Sequence, residues 1–427
     1  MSGETDVKVV KVSQLADGII GSEIIKLASE VNEKIKQGEK IYNLTIGDFN
    51  PKHFPIPQEL KQYIVDEYNA DATNYPEANG MLALRQAVSN FLKVKGNLDY
   101  TTDEILISGG ARPIIYSIFR TIVDANDTVV FAVPSWNNNH YSYLNNANAV
   151  VIEADAATNF MPSAADIQPY IGEASLVALC SPQNPTGTVF TKEGLEEICD
   201  LILAENKKRE GVRKPVYLMY DQIYWALTHG DTEHQNPVNL RPEMKEYTIF
   251  VDGVSKSLSA TGIRVGWTMG PKFVIDKMKA ILTHIGAWAP KAEQLAVAKY
   301  ISNIEMYNEF LAVQKDKIYT RLKGYYDGFQ ALKAEGHNVD AIAPQAAIYL
   351  TVNIDLKGKR TADGKLIETT QDITSYILNE AKIAIVPFYA FGASKTSTWY
   401  RMSVGTCGVD DIAGVINNLR AALNKLS

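Results

Sequence analysis

The sequence is poor in cysteine, has no excess of basic residues and contains no long apolar run. Its three cysteines, Cys180, Cys199 and Cys407, are too few and too scattered for a disulfide framework, which argues against a disulfide-stabilised secreted domain. Lys and Arg total 42 while Asp and Glu total 49, so bulk charge predicts no nucleic-acid and no anionic-membrane partner. No apolar stretch approaches the roughly 18 residues that span a bilayer. We therefore expect an intracellular, cytoplasmic protein.

The composition is that of a folded protein with more than one domain. Hydrophobic residues make up 46% of the 427 residues and charged residues 21%, which is the usual globular balance. Residues 1–18 lack the basic, apolar and small-residue order of a signal peptide. No repeat of fixed period and no low-complexity tract is visible, which excludes solenoids and propellers.

Amphipathic helical patterns alternate with short apolar runs over the first 300 residues. The pattern at 80–95 is typical of a helix, and near-continuous apolar runs lie at 104–108, 128–133, 175–180, 216–220 and 247–251. Buried strands separated by helices predict an α/β fold with a mostly parallel sheet sandwiched by helices. Ligands of such sheets gather at the carboxyl ends of the strands. The residues that follow each apolar run are therefore the candidates for chemistry.

The pattern changes near residue 305 and predicts a smaller α+β domain. A long helix is predicted over 305–335, and shorter strands and a last helix follow at 346–353, 383–386, 399–404 and 409–424. The charged segment 356–368 predicts an exposed hairpin or loop. A helix is predicted over 22–37. We assign 1–50 to an N-terminal arm and part of the small domain, 51–305 to the large domain and 306–427 to the small domain.

A lysine and an arginine follow the apolar run at 247–251. Lys256 lies on a loop rich in Gly, Ser and Thr, and Arg264 follows eight residues later. Backbone and hydroxyl donors with a nearby arginine suit a phosphate. The alternative is that both residues occupy unrelated surface positions.

Polar or glycine-rich segments also follow the other apolar runs. Asp221 and Tyr224 follow one run and Asn184 lies between two prolines after another, although a helix cap and a rigid turn are the simpler interpretations. The glycine turn at 108–113 opens a helix that can attract a phosphate, and Trp136 offers a flat face to an aromatic ligand or fills the core. Together these groups suit a flat, phosphorylated aromatic molecule.

The order and spacing of these groups resemble the class I/II aminotransferase family of fold-type I pyridoxal-phosphate enzymes, which is aspartate aminotransferase-like. The resemblance runs from NLTIGDFN at 43–50 to WYRMSVG at 399–405. It implies pyridoxal 5'-phosphate as the cofactor and Lys256 as the residue that binds it covalently and acts in catalysis. It also implies that Asp221 pairs with the pyridine nitrogen.

The resemblance assigns the other contacts to the ring, the phosphate and the substrate. Tyr224 and Asn184 would contact the ring oxygen, while Trp136 would stack on the ring. The phosphate would be held by Gly109, Gly110, Ala111 and Arg264, and by Tyr75 of a neighbouring subunit. Arg401, together with Asn184 and the backbone at Gly47, would bind the carboxylate of the substrate. A homodimer with shared active sites follows from the role of Tyr75.

The implied function is transfer of the α-amino group of an L-amino acid to a 2-oxo acid in a ping-pong cycle. The donor is aspartate or glutamate, or else an aromatic or aliphatic amino acid. A lyase or β-eliminating enzyme on the same scaffold is the alternative, because the cofactor permits several fates of the carbanion. A regulator that only senses the cofactor is less favoured, since no basic recognition helix precedes the family match.

Two departures from the family pattern leave questions open. Gly253 stands where the family commonly has a Ser or Thr, so Ser255 or Ser257 is expected to replace that hydroxyl. His284 stands where the dicarboxylate-specific branch has an arginine, which leaves Arg112 or Lys291 as the cation for a distal carboxylate. Candidate aromatic walls of the site are Trp225, Trp288, Phe388, Tyr389 and Phe391.

Overall fold

The computed structural model describes residues 11–19, 21, 23–136 and 138–427. The beginning of the predicted arm 1–50, most of the segment compared with a signal peptide, and the first residue of the predicted helix 22–37 lie outside the described residues. None of the helices described combines the length and the apolar character that crossing a bilayer would require.

The strands and helices alternate along most of the chain, as the apolar runs predict. The strands are β1 Tyr42–Asn43, β2 Ile105–Ser108, β3 Thr128–Val133, β4 Asn148–Glu153, β5 Ala174–Cys180, β6 Tyr217–Asp221, β7 Thr248–Gly253, β8 Gly266–Met269, β9 Val339–Ala341, β10 Tyr349–Ile354, β11 Ile383–Ala384, β12 Val386–Pro387 and β13 Trp399–Ser403. The helices are α1 Gln14–Gly18, α2 Glu23–Lys36, α3 Gln58–Asn69, α4 Leu82–Gly96, α5 Ala111–Ile122, α6 Asn138–Leu144, α7 Ala164–Ile171, α8 Lys192–Arg209, α9 Pro237–Leu240, α10 Val254–Ser257, α11 Lys272–Ile285, α12 Lys291–Ser302, α13 Ile304–Ala334, α14 Thr370–Tyr376 and α15 Asp411–Leu423.

A seven-stranded sheet forms the centre of the larger part of the molecule. Its strand order is β2-β8-β7-β6-β5-β3-β4, and every neighbouring pair is parallel except the two pairs that contain β8. The predicted α/β fold with a mostly parallel sheet is therefore confirmed. The apolar runs did not predict β4, a partly exposed edge strand, or β8, which is only four residues long.

Side chains of this sheet alternate between two buried faces. Ile249 belongs to the apolar cluster formed with α5 and α11, whereas Phe250, the next residue, belongs to the cluster formed with α4, α8 and α12. Leu106 and Ile107 alternate between the faces in the same way. This period of two is the pattern of a strand with both faces covered. Because helices cover both faces of the sheet, a ligand can reach it at the ends of its strands.

The smaller part contains an antiparallel sheet with the order β12-β13-β10-β9. The N-terminal segment joins this part, because Tyr42 of β1 pairs in parallel with Ile383 of β11. The predicted smaller α+β part, built from the C-terminal region and the N-terminal segment, is confirmed as architecture, while its residue limits stay predictions. The predicted exposed hairpin at 356–368 is confirmed by the antiparallel bridge between Arg360 and Leu366.

The turn that follows β6 is bound to the segment that precedes β10. The backbone N–H of His229 donates to the carbonyl of Gln345 at 2.8 Å, and Ala347 N–H donates to Leu227 O at 2.8 Å. The His229 ring nitrogen Nε2 also lies 2.8 Å from Ala347 O. These bonds fix the end of a strand of the large sheet against the small sheet, and the candidate site lies at this junction.

Burial of His229 predicts a loss of stability in acid. Desolvation lowers the pKa of His229 to about 4 from its ordinary 6.5, so the unfolded chain takes up the proton at a higher pH than the folded chain does. This stabilisation is complete above about pH 6.5 and is lost as the pH falls through 4. We expect wild-type protein to lose roughly 2 kcal/mol more than His229→Gln between about pH 7.5 and 4.5. Urea unfolding of both proteins at the two pH values measures this difference, and equal losses would contradict it.

Candidate active site

A cavity of about 410 Å³ lies at the carboxyl ends of the central strands. Its volume is in the range of small-molecule sites. It collects side chains from the N-terminal segment, the strand-end loops and the small sheet: Ile24, Ala28, Thr45, Ile46, Gly47, Asp48, Ala111, Arg112, Ile115, Trp136, Asn138, Leu179, Cys180, Asn184, Met219, Asp221, Ile223, Tyr224, Ser255, Lys256, Thr261, Arg264, Tyr349 and Arg401. The prediction that chemistry lies at the strand ends agrees with this position.

Lys256 lies on the short helix α10, directly after β7. Its ammonium Nζ donates to the carbonyl of Gly47 at 2.7 Å, and the carboxylate of Asp48 is nearby. Desolvation lowers the pKa of Lys256 to about 8, and the neighbouring arginines act in the same direction. A lysine with such a pKa exists in part as the neutral amine near neutral pH, which is the form that attacks carbonyl carbons and accepts protons.

Asp221 ends β6 and faces the same cavity. Its Oδ1 accepts the backbone N–H of Ile223 at 3.1 Å, and burial raises the pKa of Asp221 to about 6. No ion pair between Asp221 and a lysine or arginine is found in the described part of the chain. A partly desolvated carboxylate without a cationic partner is costly. A protonated ring nitrogen in the cavity would provide the missing positive charge.

Arg401 enters the cavity from β13 of the small sheet. Its guanidinium donates from Nη2 to Thr45 O at 2.6 Å and from Nη1 to Asn184 Oδ1 at 2.9 Å. The guanidinium carbon lies 4.7 Å from the ring centre of Tyr349 and 4.8 Å from that of Phe391. Within the described residues, the buried Nε has no hydrogen-bond partner and the guanidinium has no carboxylate partner. A guanidinium held in this way suits a planar carboxylate.

Two tyrosine hydroxyls meet beside Asn184 and Arg401. Tyr224 Oη lies 2.6 Å from Tyr349 Oη, and both residues are buried. Because Asn184 Oδ1 already accepts from Arg401, its amide nitrogen is the group that remains available to donate into the cavity. Lys256 Nζ lies 5.5 Å from the ring centre of Tyr224. The cavity thus has hydrogen-bond donors beside the amine.

An arginine and a helix N-terminus form the other end of the cavity. Arg264 donates from Nη2 to Gly109 O and from Nη1 to Thr261 O, both at 2.9 Å. It lies beside Ala111, the first residue of α5, where unpaired backbone N–H groups favour an anion. This end of the cavity suits a phosphate.

The two predicted glycines stand behind this end and are not among the residues that line the cavity. The N–H of Gly109 donates to Ala287 O, and that of Gly110 donates to Ser108 O. A Cβ on Gly110 would lie 2.4 Å from Arg264 Nη2, and φ of Gly110 is +93°. Glycine at 110 therefore leaves room for the guanidinium.

The serine question has a structural answer. Ser255 lines the cavity, whereas Ser257 is hydrogen-bonded to Tyr307 outside it. A Cβ on Gly253 would lie 2.8 Å from Gly266 Cα and 2.9 Å from Val265 O. The close approach of the backbone at Val265 and Gly266 therefore leaves no room for a serine or threonine side chain at 253, and of the two expected serines it is Ser255 that lies in the cavity.

Gly253→Ala is expected to lower the free energy of unfolding by about 1–3 kcal/mol, because backbone atoms of β8 must move to admit the methyl group. Gly262→Ala, on the loop between Lys256 and Arg264, is the matched control, since no atom lies within 4 Å of the position its Cβ would take. We expect the control to change stability by no more than about 0.5 kcal/mol. Urea unfolding measures both, and an equally tolerated Gly253→Ala would contradict this account.

The remaining predicted residues fall inside and outside the cavity. Trp136 lines it, and the Arg112 guanidinium lies over the Trp136 ring at 5.4 Å from its centre.

Tyr75 lies outside the cavity, is 81% exposed, and packs edge-to-face on Trp288 at 5.3 Å between ring centres. Lys291 also lies outside, where its ammonium donates to Asn74 Oδ1 at 2.7 Å. His284 is exposed in the last turn of α11.

The prediction of the aromatic walls is largely wrong. None of the five candidates is among the cavity-lining residues, although Phe391 contacts Arg401 from behind. The Nε1–H of Trp225 instead donates to the buried carboxylate of Asp252 at 3.0 Å, beneath the site. The aromatic rings that do line the cavity belong to Trp136, Tyr224 and Tyr349.

Three residues that line the cavity, Tyr349, Asp48 and Thr261, were not predicted from the sequence. Thr261 Oγ1 donates to Asp48 Oδ1 at 2.6 Å, which joins the N-terminal segment to the Lys256 loop. Asp48 lies in the NLTIGDFN segment at 43–50, which carries the family resemblance and could have indicated it. Tyr349 begins the buried strand β10, so it stands at the amino end of a strand and not after a carboxyl end, and its sequence context carried no such signal.

These residues fit the cofactor that the resemblance implies. The cavity holds a partly neutral lysine amine, a carboxylate without a cationic partner, and an arginine beside a helix N-terminus. Those are complementary to an aldehyde, a ring nitrogen and a phosphate, respectively. The unpaired Nε of Arg401 is a further donor, and it suits the carboxylate of an amino acid.

Comparison with known proteins identifies a family and a set of relatives. The family model described as aminotransferase class I and II matches residues 39–417. An aspartate aminotransferase of Bacillus sp. (strain YM-2) is 28% identical, over 88% of this chain and 90% of that protein. A probable aspartate/prephenate aminotransferase of Rickettsia prowazekii is 28% identical, over 97% and 99%. The crystal structure of the aspartate aminotransferase from Rhizobium meliloti is 25% identical and superposes with a TM-score of 0.89, covering 98% of this chain and 100% of that one.

Proposed function

The chain belongs to the aminotransferase class I and II family, and on this premise we propose that it is a pyridoxal-phosphate enzyme that moves the α-amino group of an L-amino acid to a 2-oxo acid. Aminotransferase activity follows from the family, and the family is known to use pyridoxal phosphate. The assignment of individual residues, the substrate and the assembly are the proposal. The observation that carries it is the meeting of Lys256, Asp221 and Arg401 in one cavity.

Each of these residues has one task. When bound, pyridoxal phosphate supplies an electron-withdrawing ring that accepts the electron pair left by the departing α-proton of the substrate. The Asp221 carboxylate would stabilise a positive charge on the ring nitrogen. The Lys256 amine would hold the cofactor, and as a free amine it would accept and donate the proton at the α-carbon of the substrate. Arg401 and Asn184 orient the substrate through its carboxylate, which selects the bond that breaks.

We propose dicarboxylic amino acids as the preferred donors, with Arg112 as the cation that binds the distal carboxylate. The relatives at 28% identity are named aspartate and aspartate/prephenate aminotransferases. Arg112 lines the cavity, is exposed, and forms no ion pair with a carboxylate in the described residues. Lys291 is bound to Asn74 outside the cavity and His284 lies on the surface. Of these three positions, Arg112 is therefore the one whose cation lines the cavity.

A half-reaction screen tests this proposal. Holoenzyme without an acceptor receives one amino acid at a time, and loss of the visible absorbance of the bound cofactor reports amino transfer. We expect Arg112→Gln to slow the reaction with aspartate and glutamate at least about tenfold while leaving leucine and phenylalanine within about twofold, because only the former present a second carboxylate. Arg120→Gln, on the same helix with its side chain bonded to Asn145, is the control.

Three outcomes would contradict parts of the proposal. Wild-type enzyme that reacts mainly with aromatic or aliphatic donors removes the dicarboxylate assignment. An equal loss with every donor in Arg112→Gln removes the role of Arg112. Pyruvate and ammonia produced without any 2-oxo acid would favour the lyase instead.

We also propose a cytoplasmic homodimer with shared sites. Tyr75 is a large aromatic residue that is exposed on its own chain and is not among the residues that line its own cavity, as expected of a residue that completes the site of a second copy. Analytical ultracentrifugation of the wild type and activity of Tyr75→Phe test this, and a fully active monomer at high dilution would contradict it.

A further inference from the structure

We propose that Tyr349 is a positioning residue that orders the hydroxyl proton of Tyr224 toward the ring oxygen of the cofactor; this inference rests on the proposed function. Tyr349 belongs to none of the motifs singled out in the sequence, and its side chain reaches the cavity from the small sheet. It would make the small sheet a contributor to the electronic state of the cofactor as well as to substrate binding.

The strand pairing of the small sheet places Tyr349 beside Arg401. Tyr349 of β10 pairs with Ser403 of β13, and Thr351 pairs with Arg401. Tyr349 and Arg401 are therefore diagonal neighbours on the same face of an antiparallel pair, which is within reach for an aromatic ring and a long side chain. The 4.7 Å distance between the guanidinium carbon and the ring centre agrees with this geometry.

At the far end of its ring, Tyr349 meets Tyr224. The two hydroxyl oxygens are 2.6 Å apart, which is a short hydrogen bond between phenols. Either oxygen can be the donor. The space around the pair is tight, since a Cβ on Gly47 would lie 2.6 Å from Tyr349 Oη. Both side chains are buried to 2% exposure, so their hydroxyls are held in place.

The direction of the hydrogen bond between the two tyrosines decides whether Tyr224 can donate its proton to a third group. Burial raises the pKa of both tyrosines, so each keeps its proton at working pH. Each phenol has one proton to donate. If Tyr349 donates to Tyr224, the Tyr224 proton is left for a third group, and the first bond strengthens the second. If Tyr224 donated to Tyr349, Tyr224 could offer a ring oxygen nothing but lone pairs.

Charged and titratable groups lie on both sides of the pair. Arg401 lies over the Tyr349 ring, and Lys256 Nζ lies over the Tyr224 ring at 5.5 Å. Arg401 and Cys180 both influence the pKa of the two phenols. Burial raises the pKa of the Cys180 thiol, so the thiol stays neutral. Asp48 also acts on Tyr349. The first arrangement is favoured by the ring oxygen itself: an anionic oxygen next to Tyr224 would attract the Tyr224 proton, and among the described residues Tyr349 is the one whose hydroxyl is bonded to that of Tyr224 and can donate to it.

Tyr349→Phe is the first test, read by a pH titration of the visible absorbance of the holoenzyme. A hydrogen bond donated to the ring oxygen stabilises the negative charge of that oxygen. The lysine-bound cofactor then releases its proton at a lower pH. Loss of the Tyr349 donor should therefore raise the midpoint of that titration by about half a unit to one unit, as expected for one hydrogen bond. The phenylalanine ring stays over Arg401, so KM for the amino acid should stay within about twofold.

A double-mutant cycle with Tyr224→Phe identifies the route. If Tyr349 acts through Tyr224, the shift caused by Tyr349→Phe disappears in the Tyr224→Phe background. Tyr100→Phe is the matched control, because Tyr100 is a buried tyrosine outside the cavity whose hydroxyl has no hydrogen-bond partner in the described residues. We expect its titration midpoint to equal that of the wild type.

The outcomes separate this inference from the proposed function. A wild-type holoenzyme whose absorbance titrates, combined with an unchanged midpoint in Tyr349→Phe, would overturn the role of Tyr349 and leave the proposed function standing. Shifts that persist unchanged in the Tyr224→Phe background would also overturn it. A wild-type protein that forms no visible band with pyridoxal phosphate would overturn the proposed function itself.

Discussion

Lys256→Ala is expected to lower the rate of amino transfer by at least about 10⁴-fold and to abolish covalent retention of pyridoxal phosphate. The change removes both the group that binds the cofactor and the group that carries the α-proton, and general acid–base catalysis alone contributes up to about 10⁴-fold. No other lysine lines the cavity in the described residues, so none can take over the reaction. Single-turnover absorbance and mass spectrometry after borohydride reduction measure the two effects.

Two controls make this experiment specific. Lys291→Ala removes an ammonium that is bound to Asn74 outside the cavity, so it should retain full activity. Methylamine added to Lys256→Ala should restore part of the rate, because a small amine can enter the space left by the side chain and move the proton. Normal turnover by Lys256→Ala would remove Lys256 from the reaction.

Arg401→Leu is expected to lower kcat/KM for every amino acid by about 10²- to 10⁴-fold. The substitution removes the donor to the substrate carboxylate and leaves Thr45 O and Asn184 Oδ1 without their partner. Loss of one member of a buried charge pair costs about 3–5 kcal/mol, which corresponds to this range. The effect should be similar for aspartate and leucine, because both carry the α-carboxylate.

Arg401→Lys separates charge from geometry. A lysine keeps the positive charge but cannot donate to Thr45, Asn184 and a planar carboxylate from one rigid plane. We therefore expect this variant to remain impaired by at least about tenfold in kcat/KM, while it still binds pyridoxal phosphate. Steady-state kinetics and cofactor absorbance measure the two properties. Full activity of the lysine variant would show that charge alone suffices at this position.

The apolar runs predicted the central sheet well because its strands are buried on both faces. The predicted run at 128–133 coincides with β3, and the runs at 175–180 and 247–251 begin within one residue of β5 and β7. Parallel strands of this kind end at one edge, so the residues that follow them could be placed together from the sequence. Lys256, Asp221 and Asn184 were predicted in this way, and all three line one cavity.

Residues from the small sheet could not be placed by the same argument. Tyr349 is the first residue of β10, so it stands at the amino end of a strand, whereas the sequence argument pointed only to residues that follow the carboxyl ends. The aromatic walls were predicted wrongly because a sequence does not indicate which face of a loop turns inward: Trp225 follows Tyr224 directly, yet it points beneath the site to Asp252. The different positions of Ser255 in the cavity and Ser257 beside Tyr307 likewise could not be predicted, because both serines flank Lys256 in the sequence.

The hydrogen bond from Lys256 Nζ to the carbonyl of Gly47 couples the position of the N-terminal segment to the reactivity of the lysine amine. Any reaction that takes up the lysine nitrogen competes with this bond, so occupancy of the site and the seating of the segment around Gly47 are thermodynamically linked. The linkage is reciprocal. Whatever loosens the pairing of Tyr42 with Ile383, and with it the position of Gly47, also changes the reactivity of an amine more than two hundred residues away in sequence.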